Sequence, residues 1–593
     1  MHDTDKEQVF HGSPAAPGVA RGSAFVFQHE DPEVPVYQVA EAELSREQAR
    51  FEEALVATRE ELQALREQIA AQVGEAEASV FDAHLLVLED RALIEETLSA
   101  SAEKRVNIDH CFASVAERYI EFFEHIEDAY LRERASDIRD VTKRVLAHLL
   151  GRGGFRSFGD DGRAEARVFV ANNINASDIA QLPREKILAL VAETGGQTGH
   201  TYIMARAMKV PAVVGVAGVT EKIAMGVPVL VDGYDGTVIV DPGEDTLFRY
   251  GEFRRKRKRL QEVYESELGE PAETRDGRPC PLRANLETRE EVIEAKAVHA
   301  EGVGLFRSEG MVLRDRAALA SEELQFREYR EVVRALDPAP VTIRTFDIGG
   351  DKYLPSRLTV RERNPFMGFR AIRYCLKNPG LFKEQLRALL RAASYGNLRI
   401  LLPMISGVRE LHAARELLAE ARAELRARGE EVPEAVALGC MIEIPSAALM
   451  VDVLAKYCDF VSIGTNDLIQ YLLAVDRGND NIAELHEPSH PAVVRILHTI
   501  VREAKAAGVP VSVCGEMASD PVYTGLLVGL GVDELSLSPS LLPEVKYILR
   551  HMDAAEAEAL AAECLRMEGP RRIRRRLGAF HEELVRRSAL TTH

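Results

Sequence analysis

The 593-residue sequence has no tryptophan, only 6% aromatic residues, and seven cysteines scattered from Cys111 to Cys564 without a CxxC pair. Spacing of that kind gives neither a disulfide framework nor a zinc site, and it suits reduced thiols. No apolar run approaches the ~20 residues that cross a bilayer. The polar, acidic start MHDTDKEQVF carries no signal-peptide core. There is no phosphate-cradling P-loop. Positive charge is also in deficit, with a formal net charge of −20. The two basic runs, Arg254–Arg259 and Arg571–Arg576, lie in helical contexts with no aromatic platform beside them, which argues against nucleic acid as a partner. The sequence reads as a cytoplasmic protein that touches neither membrane nor nucleic acid.

What is present is organised in blocks. Residues 31–130 carry 24 Asp and Glu against 8 Lys and Arg. Across Glu41–Leu150 there is little Gly or Pro, and apolar residues recur at helical spacing, as in a helical bundle. An acidic helical surface attracts a basic protein partner. The bundle interrupts an α/β unit. HGSPAAPGVARGSAFVF before it reads as turns and a short strand, and strands alternate with short helices from GRGG (Gly151–Gly154) onward. A charged, Pro-free helix over about 246–268 connects this part to a second one. From about Pro271, seven short apolar strands (GVGLF, VTIRTF, LRILLP, ALGCMIE, FVSIG, VPVSVCGE, ELSLS) alternate with long helical stretches, as in a (β/α)₈ TIM-type barrel.

Two constellations carry chemistry. In ETGGQTGHTYIMARAMKVPAVVG, a strand ends in a glycine turn, and Ile203, Met204 and Met208 then recur at helical spacing until Pro211. His200 therefore stands at a helix N-terminus, where unpaired N–H groups and the helix dipole favour an anion. A neutral imidazole there is a candidate nucleophile for a phosphoryl group; the same position would also suit a histidine capping a turn. In the barrel, Arg307, Arg344, Asp347, Met404, Glu443, Asn466, Asp467 and Cys514 fall at C-terminal strand ends, where barrel enzymes place their chemistry. Arg307, Arg344 and Arg477 suit phosphate and carboxylate. Glu443 and Asp467 are two carboxylates at neighbouring strand ends, enough for Mg²⁺ that shares its other positions with substrate oxygens. Asn466 adds a neutral donor. The thiol of Cys514, protonated at neutral pH, could serve as acid or nucleophile.

Taken together these stretches resemble Enzyme I of the bacterial phosphotransferase system, the phosphoenolpyruvate–protein phosphotransferases. The likeness runs through SPAAPGVARG, RASDIRDVTKRVL (Arg134–Leu146), GGxTxHTxIMAR around His200, EGVGLFRSE, RTFDIGGDK, NPFMGFRAIR, MIEIP, IGTNDLIQYLLAVDRGN and VCGEMASD. It implies an α/β phosphohistidine domain (1–30 and 151–245) with an inserted helical domain (31–150) that binds the phosphocarrier HPr. A linker helix (246–270) and a barrel (271–593) that binds phosphoenolpyruvate and forms a homodimer would follow. It implies that His200 is phosphorylated, that Cys514 donates a proton, that Arg307, Arg344, Asn466, Asp467 and Arg477 bind substrate, and that Glu443 and Asp467 hold Mg²⁺. The chain departs from the family's GGRTSHT pattern, with Gln197 for the arginine, Gly199 for the serine and a bulky Tyr202 after Thr201. A paralogous Enzyme I of a regulatory, nitrogen-type phosphorelay is the alternative; no extra N-terminal sensory domain precedes the matched region, which argues against it. A lyase that uses only the barrel would leave His200 and the acidic bundle without a purpose.

Overall fold

The computed structural model describes residues 7–27, 34–72, 78, 80–124, 129–151, 166–174, 178–179, 184–194, 205–206, 208–314, 316–349, 364–477, 479 and 482–589. They fall into two compact units, Met1–Arg255 and Lys256–His593.

The first unit holds an eight-stranded sheet: β1 (Gln8–His11), β2 (Ser13–Ala16), β3 (Val19–Phe27), β4 (Arg167–Ala171), β5 (Ile187–Ala192), β6 (Ala212–Val214), β7 (Pro228–Asp232) and β8 (Thr237–Val240), ordered β1-β8-β7-β3-β4-β5-β6-β2. β3 is its pivot, antiparallel to β7 and parallel to β4. The N-terminal stretch therefore makes three strands and not the single short one expected from its Pro and Gly content. Their hydrogen-bond partners (β6, β7 and β8) come from some 200 residues downstream, where no local pattern could announce them. β4 and β5 read as unbroken apolar runs because the sheet is covered on both faces. Phe169, Ala171, Leu190 and Ala192 face a core shared with the helices, and Val168, Val170, Ala189 and Val191 face a second core.

Between β3 and β4 run the helices Leu44–Gln72, Val80–Leu88, Arg91–Lys104, Ile108–Glu124 and Ala129–Leu149. Their packing buries Phe51, Leu62, Phe81, Phe112 and Val145. Arg144 is fully buried among them and survives there because Asp140 (3.1 Å) and Glu61 pair with it. The GRGG boundary lies mostly outside the described residues.

The expected connector is the helix Glu244–Ser266. Its end is tied to the helix Leu542–Arg550: Tyr264 meets Tyr547 at 4.9 Å, and Arg550 pairs with Glu267 at 3.0 Å.

The second unit is a closed barrel of eight parallel strands: β9 (Leu282–Leu286), β10 (Val303–Arg307), β11 (Val341–Arg344), β12 (Leu398–Leu402), β13 (Ala437–Ile442), β14 (Phe460–Ile463), β15 (Val511–Val513) and β16 (Glu534–Leu537). β9, LRANL, is the strand the sequence reading missed. Its polar residues break the apolar run, yet both are satisfied by neighbours. Arg283 makes a bidentate pair with Glu534 at 2.5 and 2.9 Å, and Asn285 donates to the carbonyls of Cys514 and Ser536. All seven cysteines are free and buried. No helix among the described residues is long and apolar enough to cross a membrane.

Candidate active site

The strand ends of the barrel surround an open cavity of about 170 Å³. Arg307 is the last residue of β10 and Arg344 the last of β11; Glu443 follows β13, and Cys514 follows β15. Asn466 and Asp467 lie in the first turn of the helix Thr465–Leu473, and Arg477 lies just beyond that helix. All seven line the one cavity. The eighth residue to which the sequence gives a role, His200, lies outside the described residues, as do Gln197, Gly199 and Tyr202. β5 and β6, which bracket that segment, run parallel.

Two glycines give the cavity its shape. A Cβ on Gly464 would lie 2.8 Å from Oε2 of Glu443, and one on Gly515 would lie 1.9 Å from Oγ1 of Thr465. A side chain at Gly515 would drive into Thr465 and its backbone, and one at Gly464 would displace the Glu443 carboxylate. Met404, two residues past β12, takes a left-handed backbone (φ 56°) that directs its N–H to Oε1 of Glu443 at 2.6 Å. Backbone strain of this kind is costly and persists where the surroundings demand it.

The charges are layered. Arg344 pairs with Glu309 (3.2 Å) and Asp347 (3.5 Å), and the Asp347 N–H donates to Glu309 at 2.6 Å. Arg370, 1% exposed, forks onto both oxygens of Asp347 (2.8 and 2.6 Å) and reaches Asp467 at 3.1 Å. Burial pulls both guanidinium pKa values down, but these carboxylates outweigh it and raise them. The Glu443 carboxyl is pushed upward, first by burial and then by the like charges of Asp467 and Asp347. Burial also lifts the Cys514 thiol to about 11, so it stays protonated at neutral pH.

Among the described residues no group of three or more His, Cys, Asp or Glu forms a ready-made metal cage. Glu443 and Asp467 each have one oxygen in a protein hydrogen bond. That leaves an oxygen of each for a cation, and a cation would relieve the repulsion that raises Glu443. The donor set fits a hard divalent ion that takes two carboxylates and fills its remaining positions with substrate and water.

Three family models cover most of the chain: the PEP-binding domain of PEP-utilising enzymes (residues 261–554), their N-terminal domain (11–134) and their mobile domain (164–236). The phosphoenolpyruvate-protein phosphotransferase of Priestia megaterium is 41% identical over 547 residues, covering 92% of this chain and 94% of its own. Its namesake in Bacillus subtilis is 38% identical over 560 residues (94% and 97%), and that in Cupriavidus necator 40% over 574 (95% and 97%). The chain belongs to the phosphoenolpyruvate–protein phosphotransferase family.

The sequence reading overlooked several residues that this phosphotransferase builds into the cavity. Asp347 stands at a strand end in the sequence, where nothing local shows that it pairs with both Arg344 and Arg370. Arg370 sits in NPFMGFRAIR, far from any strand end, and no spacing rule points to it. The chain returns through a bridge between Gly349 and Arg370, and Ala371 N–H bonds to the Ile348 carbonyl, which sets Arg370 beside Asp347. Glu287, Glu309 and Glu516 also line the cavity. Glu309 and Glu516 fall inside the stretches EGVGLFRSE and VCGEMASD, but no local pattern gives them a part, and only the closure of the barrel gathers the three.

Proposed function

We propose that the enzyme takes the phosphoryl group of phosphoenolpyruvate onto its own His200 and passes it to a histidine of the phosphocarrier HPr, releasing pyruvate, as the first step of sugar uptake by the phosphotransferase system. The observation that carries this reading is the convergence of Arg307, Arg344, Glu443, Asn466, Asp467, Arg477 and Cys514 on a single cleft. Arg307, Arg344 and Arg477 bind the phosphate and carboxylate, with Asn466 and Asp467 completing the substrate contacts. Glu443 and Asp467 hold Mg²⁺, whose charge offsets that of the substrate. His200 attacks phosphorus; the P–O bond breaks as the N–P bond forms, and the electron pair stays with the enolate. Arginines preorganised around that developing charge supply stabilisation of the kind that usually dominates such catalysis. Cys514 then gives its proton to the methylene carbon, and solvent reprotonates the thiolate. Burial, which keeps the thiol protonated, suits that part.

His200 must visit both the barrel and HPr, so the phosphohistidine domain (1–30 and 151–245) swivels on the linker 246–270. The inserted domain 31–150 docks HPr with its acidic surface. The barrel, 271–593, forms a homodimer, and the enzyme works in the cytoplasm. The test is incubation of the protein with labelled phosphoenolpyruvate and Mg²⁺. Acid-labile phosphate is expected on His200 and absent from His200→Gln; label on another residue would overturn the assignment.

A further inference from the structure

The acidic residues of the cleft are of two kinds. Glu309 and Asp347 are buried and build the site around Arg344 and Arg370. Glu287 and Glu516 stand at the mouth with side chains 54% and 77% exposed, and their partners are the groups that await substrate. Glu516 accepts from Asn466 Nδ2 at 2.8 Å and from Arg477 Nη1 at 3.2 Å, while its own N–H donates to Asn466 Oδ1 at 2.8 Å. Glu287, one residue beyond β9, takes Nη1 of Arg307 at 2.5 Å.

We infer that Glu287 and Glu516 are displaceable stand-ins for the substrate's anionic groups: they hold Arg307 and Arg477 until phosphoenolpyruvate enters, and return as pyruvate departs. The inference rests on the reading that this cleft binds phosphoenolpyruvate. Exposed ion pairs are weak, and a glutamate released from one is solvated at once, so displacement costs little. A trianion that engages both arginines repays that cost. Pyruvate, left with one carboxylate once the phosphoryl group is on His200, and inorganic phosphate meet the same cost with fewer contacts to offset it. The pairs thus weaken the binding of every anion by a similar factor, keep the cleft clear of small anions, and speed product release at the expense of substrate affinity.

Glu516→Gln tests this with little risk to folding, because the amide oxygen still accepts from Asn466 and only the charge is lost. In the full-length chain carrying His200→Gln, so that no turnover occurs, phosphoenolpyruvate and pyruvate are titrated calorimetrically in the presence of Mg²⁺. Both should bind about two- to fivefold more tightly to Glu516→Gln, and likewise to Glu287→Gln. In the active enzyme, Glu516→Gln should lower KM and strengthen inhibition by pyruvate by the same factor. Glu516→Asp keeps the charge but is one methylene too short for Arg477, so it should tighten binding as Gln does. If Asp matches the unsubstituted chain while Gln tightens, the effect is through-space repulsion and the stand-in role is wrong. Unchanged or weaker binding in both variants also overturns it. Failure of the unsubstituted chain to bind phosphoenolpyruvate at all would instead overturn the functional reading beneath it.

Discussion

Arg370→Met removes a buried cation that touches both Asp347 and Asp467. The guanidinium is 1% exposed, holds Asp347 by two hydrogen bonds of 2.8 and 2.6 Å and Asp467 by one of 3.1 Å, and lies 3.4 Å from the Tyr471 hydroxyl. Methionine fills much of the volume but leaves two buried carboxylates facing one another without that charge. Breaking a buried ion pair from one side costs about 3–5 kcal/mol. The unit Lys256–His593 spans about 340 residues, and at ~2.1 cal/mol/K per residue its unfolding entropy is roughly 0.7 kcal/mol/K, so its melting temperature should fall by about 4–7 °C. Arg370→Lys, which keeps the charge and loses the fork, should fall between the two. Scanning calorimetry of the full-length protein, following the barrel transition, reads the shift directly. Turnover with phosphoenolpyruvate should be lost in Arg370→Met at temperatures where the barrel remains folded, because Asp467 is no longer held in place. A barrel transition within about 1 °C of the unsubstituted protein would refute the reasoning, since it would mean that the fork carries no net stability.

Glu443→Gln and Asp467→Asn should each abolish self-phosphorylation, with excess Mg²⁺ restoring it in part at most; full activity of both in EDTA would remove the metal from the site. Cys514→Ala should slow turnover driven by phosphoenolpyruvate by about 10²–10⁴-fold, the usual worth of a general acid, and leave phosphate exchange between His200 and HPr near normal. Equal loss in the two assays, or loss in neither, takes Cys514 out of the mechanism. Because the folded thiol titrates at about 11 and an unfolded one near ~8.5, the stability it contributes is complete below the unfolded value. It should decline as pH rises from there toward 11, and Cys514→Ser should flatten that part of a stability–pH curve. Finally, if HPr docks on the acidic helices, raising salt from low to high ionic strength should weaken transfer to HPr far more than self-phosphorylation.

Much of this protein is legible in its sequence. Sequence pattern is local, so the helices between β3 and β4 could be read from apolar periodicity, a helix at about 246–268 from its charge and lack of Pro, and seven of eight barrel strands from short apolar runs. Reactive residues at strand ends could be read too, since a (β/α)₈ barrel puts chemistry there by construction, and Arg307, Arg344, Glu443, Asn466, Asp467, Arg477 and Cys514 do line one cavity. What sequence could not reveal depends on partners distant along the chain. β9 hides behind Arg283 and Asn285 because their satisfaction comes from Glu534 and from the Cys514 and Ser536 carbonyls, some 230–250 residues away. The strands β1 and β2 exist only because β8 and β6 offer them backbone partners. Arg370 and Glu516 carry no periodic signature; burial next to Asp347 makes one a structural cation, and the other is an exposed carboxylate paired with Arg477. Local sequence determined which segments are helices and strands and where the chemistry stands along them. Tertiary structure alone decided which charges are buried together and which stay in water, because desolvation is a property of the assembled fold and not of any stretch of chain.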